Sequence, residues 1–231
     1  MRKLTLLSTS LLLSTLAVST AQAFEAGDII VRAGAVTVDP RESSSSVKVD
    51  RGALAGTSLG GKASLGSDTQ LGLNFAYMLT NHLAVELLAA TPFEHNVSLS
   101  GTAGGIADGK LGSLKHLPPT LSLLYYPMHS KSAFQPYVGA GLNYTWIYDE
   151  KVGSRASAAG FDNFRAGNSW GWAAQVGMDY MLSDRLMLNA QMRYIDINTD
   201  AYVNNSQLGV RSKVNVDVDP FVYMVGLGYK F

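Results

Sequence analysis

Large apolar side chains recur at every second position in five stretches of this chain. Phe221, Tyr223, Val225, Leu227, Tyr229 and Phe231 alternate with Val222, Met224, Gly226, Gly228 and Lys230. Leu71, Leu73, Phe75, Tyr77 and Leu79 alternate with Gln70, Gly72, Asn74 and Ala76. Val138, Ala140, Leu142, Tyr144 and Trp146 are set against Tyr137, Gly139, Gly141, Asn143 and Thr145. The runs Trp170–Tyr180 and Leu186–Tyr194 behave in the same way. Successive side chains of a strand point to opposite faces, so this period of two predicts strands with one bulky apolar face and one small or polar face. Weaker alternation at about 28–39, 83–93 and 117–127 brings the expected number to eight.

The connections alternate in length as well. Thr80–His82, Met128–Ala133 and Ser183–Asp184 are short, whereas 40–67, 94–116, 151–168 and 201–216 are long and rich in Gly, Ser, Asn and charge. An even strand number with short turns at one end and long loops at the other predicts an all-β, eight-stranded antiparallel transmembrane β-barrel. The turns would be periplasmic and the loops extracellular. A barrel of this girth has room inside only for side chains, so the small and polar set belongs in the lumen and the bulky set faces lipid. Closure leaves no unpaired edge, as a bilayer requires. A soluble lipocalin-like barrel would put its large apolar residues inside, so the arrangement of faces disfavours it, while a soluble β-sandwich, which also reads as short alternating strands, is a minor alternative. Aromatic residues near the strand ends predict two interfacial girdles. Tyr77, Tyr180, Tyr229 and Phe231 would form the turn-side ring, and Phe93, Trp146, Tyr148, Trp170 and Phe221 the loop-side ring.

The N-terminus adds an address. Arg2 and Lys3, the Leu-rich run Leu4–Val18 and Ala21-Gln22-Ala23 have the build of a cleaved export signal over residues 1–23. The apolar run falls short of the roughly 20 residues of a spanning helix. Residues 24–231 then form a single barrel domain in the bacterial outer membrane. Composition excludes other classes. The chain is 47% apolar and 16% charged, which rules out disorder. With no cysteine it has no disulfide, thiolate metal site or cysteine nucleophile. Lys+Arg and Asp+Glu balance at 18 each, so nothing marks a nucleic-acid partner.

Candidate chemistry is sparse. Val138-Gly139-Ala140-Gly141 and Val225-Gly226-Leu227-Gly228 lack the third glycine and the helix of a nucleotide loop. His82, His95, His116 and His129 show no metal-ligand spacing. His95 with Ser98 and Ser100 could mimic the rim of a lipid-modifying barrel enzyme, but no carboxylate is placed to orient the histidine. Arg32, Glu86, Asp179, Arg193 and Lys230 all fall on the inward face, where unpaired charge is costly, so they should pair. Pro92 tops one strand and Pro118-Pro119 begin the next, at one predicted height. Proline cannot donate to a strand ladder. The wall should therefore be unzipped there, either as a lateral opening from lumen to lipid or simply as the upper limit of the ladder.

Several strings together carry a resemblance. They are Gln70-Leu71-Gly72-Leu73, Val85–Phe93, His116-Leu117-Pro118-Pro119-Thr120, Pro136–Tyr144 and the terminal Gly228-Tyr229-Lys230-Phe231. On these the mature chain resembles the OmpW family of small bacterial outer-membrane proteins, which includes alkane-uptake relatives. The resemblance implies a narrow, largely apolar channel, open outward and closed toward the periplasm, that passes small hydrophobic molecules sideways into the membrane. It also implies that Leu88 narrows the channel, that Pro92 stands beside the lateral opening and that Phe231 is the aromatic end read by the barrel-assembly machinery. Arg193 departs from a bulky aromatic that members of the family can carry at the channel floor. It makes a second constriction residue and leaves a polar-solute pore open. The expected protein is thus a monomer without cofactor or enzymatic chemistry, in contact with outer-membrane lipid and small hydrophobic solutes. A recognition barrel working through its loops, or a lipid-modifying enzyme, are the alternatives.

Overall fold

The computed structural model describes residues 23–105 and 108–231, so the expected leader lies outside the described residues except for Ala23. In chain order the strands begin with β1 (Ile29–Asp39), β2 (Ser43–Ser44), β3 (Val47–Arg51), β4 (Ser58–Leu65) and β5 (Asp68–Met78). Then come β6 (Leu83–Ala90), β7 (Phe93–Thr102), β8 (Gly109–Leu117), β9 (Thr120–Tyr125) and β10 (Phe134–Val152). The last are β11 (Phe161–Ala166), β12 (Ser169–Met181), β13 (Leu186–Ile195), β14 (Asn198–Asn205), β15 (Val210–Asp217) and β16 (Phe221–Lys230).

Eight of these close a barrel in the order β1–β5–β6–β9–β10–β12–β13–β16, every pairing antiparallel and β16 returning to β1. They are the eight strands that the alternation predicts. Leu142, Trp170, Trp172 and Val225 lie exposed on the outside, while Asn74, Asn143 and Gln175 are buried within. Such an outer surface is stable only against hydrocarbon. Gly34 and Gly226 oppose each other across β1 and β16, and a Cβ on Gly34 would stand 2.2 Å from the Val225 carbonyl oxygen. This close approach lets the strands coil tightly around a narrow lumen.

The stretches expected as long loops are instead largely strands. Together with the upper end of β10 they form a second sheet in the order β11–β14–β15–β3–β4–β7–β8–β10, with β2 appended to β15. Here the pattern is inverted. Val97, Leu99, Leu111, Leu114, Val203, Val214 and Val216 are buried in a shared apolar cluster. Lys115, Asp149, Asp200 and Lys213 lie on the partly exposed outer side and pair with one another. β10 belongs to both parts: Asn143 and Thr145 are buried polar residues, and Ile147, next on the same face, joins the apolar cluster. Side chains tie β10 to β11 and to the turn that follows it, with the Ala166 amide of β11 donating to Glu150 Oε1 and the Ile147 amide donating to Asn168 Oδ1 in the turn.

One girdle assignment is corrected. Phe93, expected to face lipid, is 1% exposed and points inward. Glu86 and Leu88 are buried at even positions of β6, whereas Phe93, His95 and Val97 are buried at odd positions of β7. An extra residue at Thr91-Pro92 shifts the phase of the alternation, which exchanges the two faces of everything that follows.

Candidate functional site

The floor of the lumen is built first, from side chains that alternation sends inward. Arg32 on β1 is fully buried and donates from Nε and Nη2 to the two oxygens of Asp179 on β12, at 2.9 and 2.6 Å. Its Nη1 donates to Glu86 Oε2 at 3.0 Å and its Nη2 also to the Tyr126 hydroxyl at 2.7 Å. Glu86 on β6 receives Arg193 Nη2 at 2.7 Å, Gln175 Nε2 at 2.9 Å and Asn74 Nδ2 at 3.2 Å. Arg193 Nε donates in turn to Gln175 Oε1 at 2.5 Å. Asn189 joins Asp179 to the Tyr137 hydroxyl. Glu86 and Arg193 stand on strands at opposite sides of the barrel, so their bridge crosses the lumen. Two cations and two anions with nearly all their donors matched make a neutral plug. Charges taken this far out of water persist only when paired and hydrogen-bonded in this way.

Beneath the plug, Phe24, Met78, Leu124, Met181 and Met187 form an apolar base. The Phe24 ring meets Tyr126 edge-on at 5.1 Å. The network thus unites four of the five predicted inward charges. Lys230 is the correction: it lies at the lower rim, 3.8 Å from Asp28, because its strand ends below the plug. The Glu86–Arg193 bridge expected from strand height is present. Leu88 is buried one inward step above Glu86 on the same strand.

Above the floor the wall is interrupted. Rungs between β6 and β9 stop at Leu88 opposite Thr120, and between β7 and β8 they begin again at Phe93 opposite His116. Ala89–Pro92 and Leu117–Pro119 face each other with no rung. Each side remains tied to its other neighbour. The Thr91 amide donates to the Leu71 carbonyl at 3.0 Å, the Tyr144 amide to that of Pro119 at 3.1 Å, and Asn143 Nδ2 to that of Pro118 at 3.1 Å. The interruption therefore runs cleanly between two neighbouring walls, where the three prolines placed it. Behind it Phe93 and His116 lie ring on ring, with centroids 5.4 Å apart.

A cavity of about 60 Å³ opens above this level, lined by Val38, Val97, Leu114, Ile147, Phe164 and Val216 together with His95 and His116. The histidines that sequence spacing left scattered are thus in part a pair. His95 Nε2 and His116 Nε2 are 2.8 Å apart, and His95 Nδ1 bonds the Gly66 carbonyl. Both nitrogens of His95 are engaged there, and neither Ser98 nor Ser100 is its partner, so the serine–histidine arrangement does not form. No group of three or more metal-capable side chains exists among the described residues. Burial pushes His95 below its usual range and His116 down to about 3, the latter helped by the neighbouring His95. Both rings stand in the extracellular sheet, where the hairpin register brings together residues 21 positions apart. Sequence reading missed this pair, as it missed Tyr126 in the plug. The pairing of β7 with β8 was the signal that could have found the histidines.

The OmpW family model matches residues 25–231. Outer membrane protein W of Vibrio cholerae serotype O1 is 43% identical over 210 residues, which span 90% of this chain and 91% of that protein. Outer membrane protein AlkL of Ectopseudomonas oleovorans is 31% identical over 172 residues, 73% of this chain and 68% of that protein. The crystal structure of the outer membrane protein OprG from Pseudomonas aeruginosa is similar with a TM-score of 0.84 at 50% identity, covering 91% of this chain and 98% of that one.

Proposed function

The chain belongs to the OmpW family of outer-membrane barrels, and from that premise we propose that it passes small hydrophobic molecules from its upper chamber sideways into the membrane. The observation that carries this reading is the interrupted wall directly above a closed floor. A solute entering from outside meets an apolar cavity and then the Arg32–Glu86–Asp179–Arg193 plug, whose polar groups an apolar molecule cannot replace. At the level of Pro92, Pro118 and Pro119 no backbone ladder holds the wall shut, and Pro92 and Pro119 are exposed toward the outside. Proline has no N–H, so no small shift can restore rungs there. Leu88 forms the apolar narrowing above the plug and Arg193 its polar lower edge. The transfer runs downhill, with membrane lipid as the sink and with no cofactor or covalent step. Phe231, exposed at the C-terminus, offers an aromatic end to the assembly machinery, and the closed barrel works as a monomer.

The polar-solute pore that Arg193 raised is disfavoured, because its guanidinium is bonded to Glu86 and Gln175 across the lumen. Recognition through free loops is the weaker reading, since those segments are strands that line the chamber.

The chain has no cysteine, so a disulfide can be placed across the gap without competition. Ala89→Cys with Pro119→Cys continues the register from Leu88 and Thr120. Cells lacking the protein and complemented with this variant should take up an apolar hydrocarbon tracer when the pair is reduced and lose that uptake when it is oxidised. Pro92→Ala, at equal surface expression, should also lower uptake. Undiminished uptake through the fully cross-linked barrel would overturn lateral transfer.

A further inference from the structure

An apolar layer lies directly on the ionic plug. On their own strands Ile195 stands one inward step above Arg193, Ala173 one step above Gln175 and Val36 two steps above Arg32. Val222 and Met224 join it from β16. These strands, β1, β12, β13 and β16, make up the half of the barrel opposite the wall gap. One buried member comes from the other side. Phe93 stands on the first rung above the gap, opposite His116, and shares this cluster with the far half, while Ala90 packs against the cluster from below the gap. The Phe93 ring therefore reaches inward across the lumen, 1% exposed, and lies against His116 at 5.4 Å with 24° between the planes. Val38 and Ile197 belong both to the layer and to the lining of the chamber above. Chamber, layer and gap are thus consecutive, and Phe93 occupies the place between the first and the last.

The chain shifts phase to put it there. Continued alternation from Glu86 and Leu88 would turn Phe93 to lipid, and the extra residue at Thr91-Pro92 turns it inward instead. An inserted residue of this kind re-aims the side chains that follow, and proline holds the residue before it extended. The insertion is also anchored, with Thr91 Oγ1 donating to Gln70 Oε1 of β5 at 3.1 Å. We propose that Phe93 is the gate between the chamber and the lateral opening, and that its ring determines the size of the solute that passes. This rests on the transfer reading above and adds to it the residue that sets its selectivity. A slim chain slips past the ring, whereas a compact cage needs the space that the ring itself occupies.

The test complements cells lacking the protein with wild type, Phe93→Leu or Phe93→Trp at equal surface expression, and supplies n-octane and adamantane as paired tracers. Phe93→Leu should raise the adamantane-to-octane uptake ratio about tenfold over wild type, and Phe93→Trp should lower uptake of both. A ring that merely packs the layer would alter the urea midpoint of the barrel and leave that ratio unchanged. An unchanged ratio in Phe93→Leu would overturn the gate. Should Phe93→Trp fail to assemble, the leucine variant decides alone. Adding the Ala89→Cys and Pro119→Cys cross-link to Phe93→Leu should abolish its gain when oxidised. A gain that survives oxidation would route the solute elsewhere and overturn the assignment. Protein-dependent uptake that ignores the side chain at 93 refutes only the gate. Uptake no higher with wild type than without the protein refutes lateral transfer, and the gate with it.

Discussion

The membrane belt and the extracellular extension are built from one continuous sheet path with opposite chemistry. In the belt, Leu142, Trp172 and Val225 face out and an ionic network fills the centre. In the extension, Val97, Leu114 and Val214 face in, and Lys115, Asp149, Asp200 and Lys213 pair along the outer side. β10 passes from one regime to the other as one unbroken strand, exchanging its partners β9 and β12 for β8. The comparison teaches that alternation specifies the strand, while the surrounding medium specifies which face is apolar. Hydrocarbon outside makes apolar exposure free and leaves the interior to polar groups. Water outside restores the ordinary rule, at roughly 25 cal/mol per Å² of apolar area.

The largest way to break this contrast is at the plug. Glu86→Leu removes the carboxylate between Arg32 and Arg193 and should cost about 3–5 kcal/mol, read as a lowered urea midpoint for the gel-mobility shift of the folded barrel. Adding Arg193→Met should recover much of that loss, because no guanidinium then lacks its carboxylate. A smaller effect separates the two outer faces. Val225→Arg, near mid-belt, should destabilise by about 2–4 kcal/mol in the same assay. Lys213→Leu on the extension should change it by no more than about 0.5 kcal/mol. Equal penalties at the two sites would erase the distinction.

The smallest effect concerns the histidine pair. A folded-state pKa of about 3 for His116, below the usual 6.5, means that the opened extension binds a proton which the closed form refuses. Stability from this group is complete above pH 6.5 and declines as pH falls toward 3. Asp68 and Glu42 favour protonation of His95, but burial outweighs them. Hydrogen exchange of β7 and β8 amides, corrected for intrinsic rates, should therefore quicken roughly tenfold between pH 7 and pH 5.5. Belt amides should not respond. A uniform response would show that the two regions open as one.

Much of the belt was legible in the chain. The eight strands, the inward set Arg32, Glu86, Asp179 and Arg193, and the proline-interrupted wall follow from a period of two and from what proline cannot donate. The extension was hidden because its apolar pairs, such as Val97 with Leu99 and Val214 with Val216, are brief and set among Gly, Ser and charge. The bulges between Val97 and Ser98 and between Tyr148 and Lys151 break their phase further. Phe93 was misplaced by one inserted residue, which alternation cannot register until the neighbouring strand is known. Lys230 has the parity of a lumen residue but the height of a rim residue. Parity is written in the sequence, whereas height depends on where the plug sits.

That the extracellular segments are strands rather than loops also decides where this protein can be altered or labelled. Foreign sequence is tolerated at exposed tips, not within paired backbone. The admissible insertion points shrink to hairpin apices, such as the exposed turn at Gly52–Gly56 and that at Ser206–Gly209. A peptide displayed there rides on a rigid rim, whereas one inserted a few residues further down would cut the chamber wall itself.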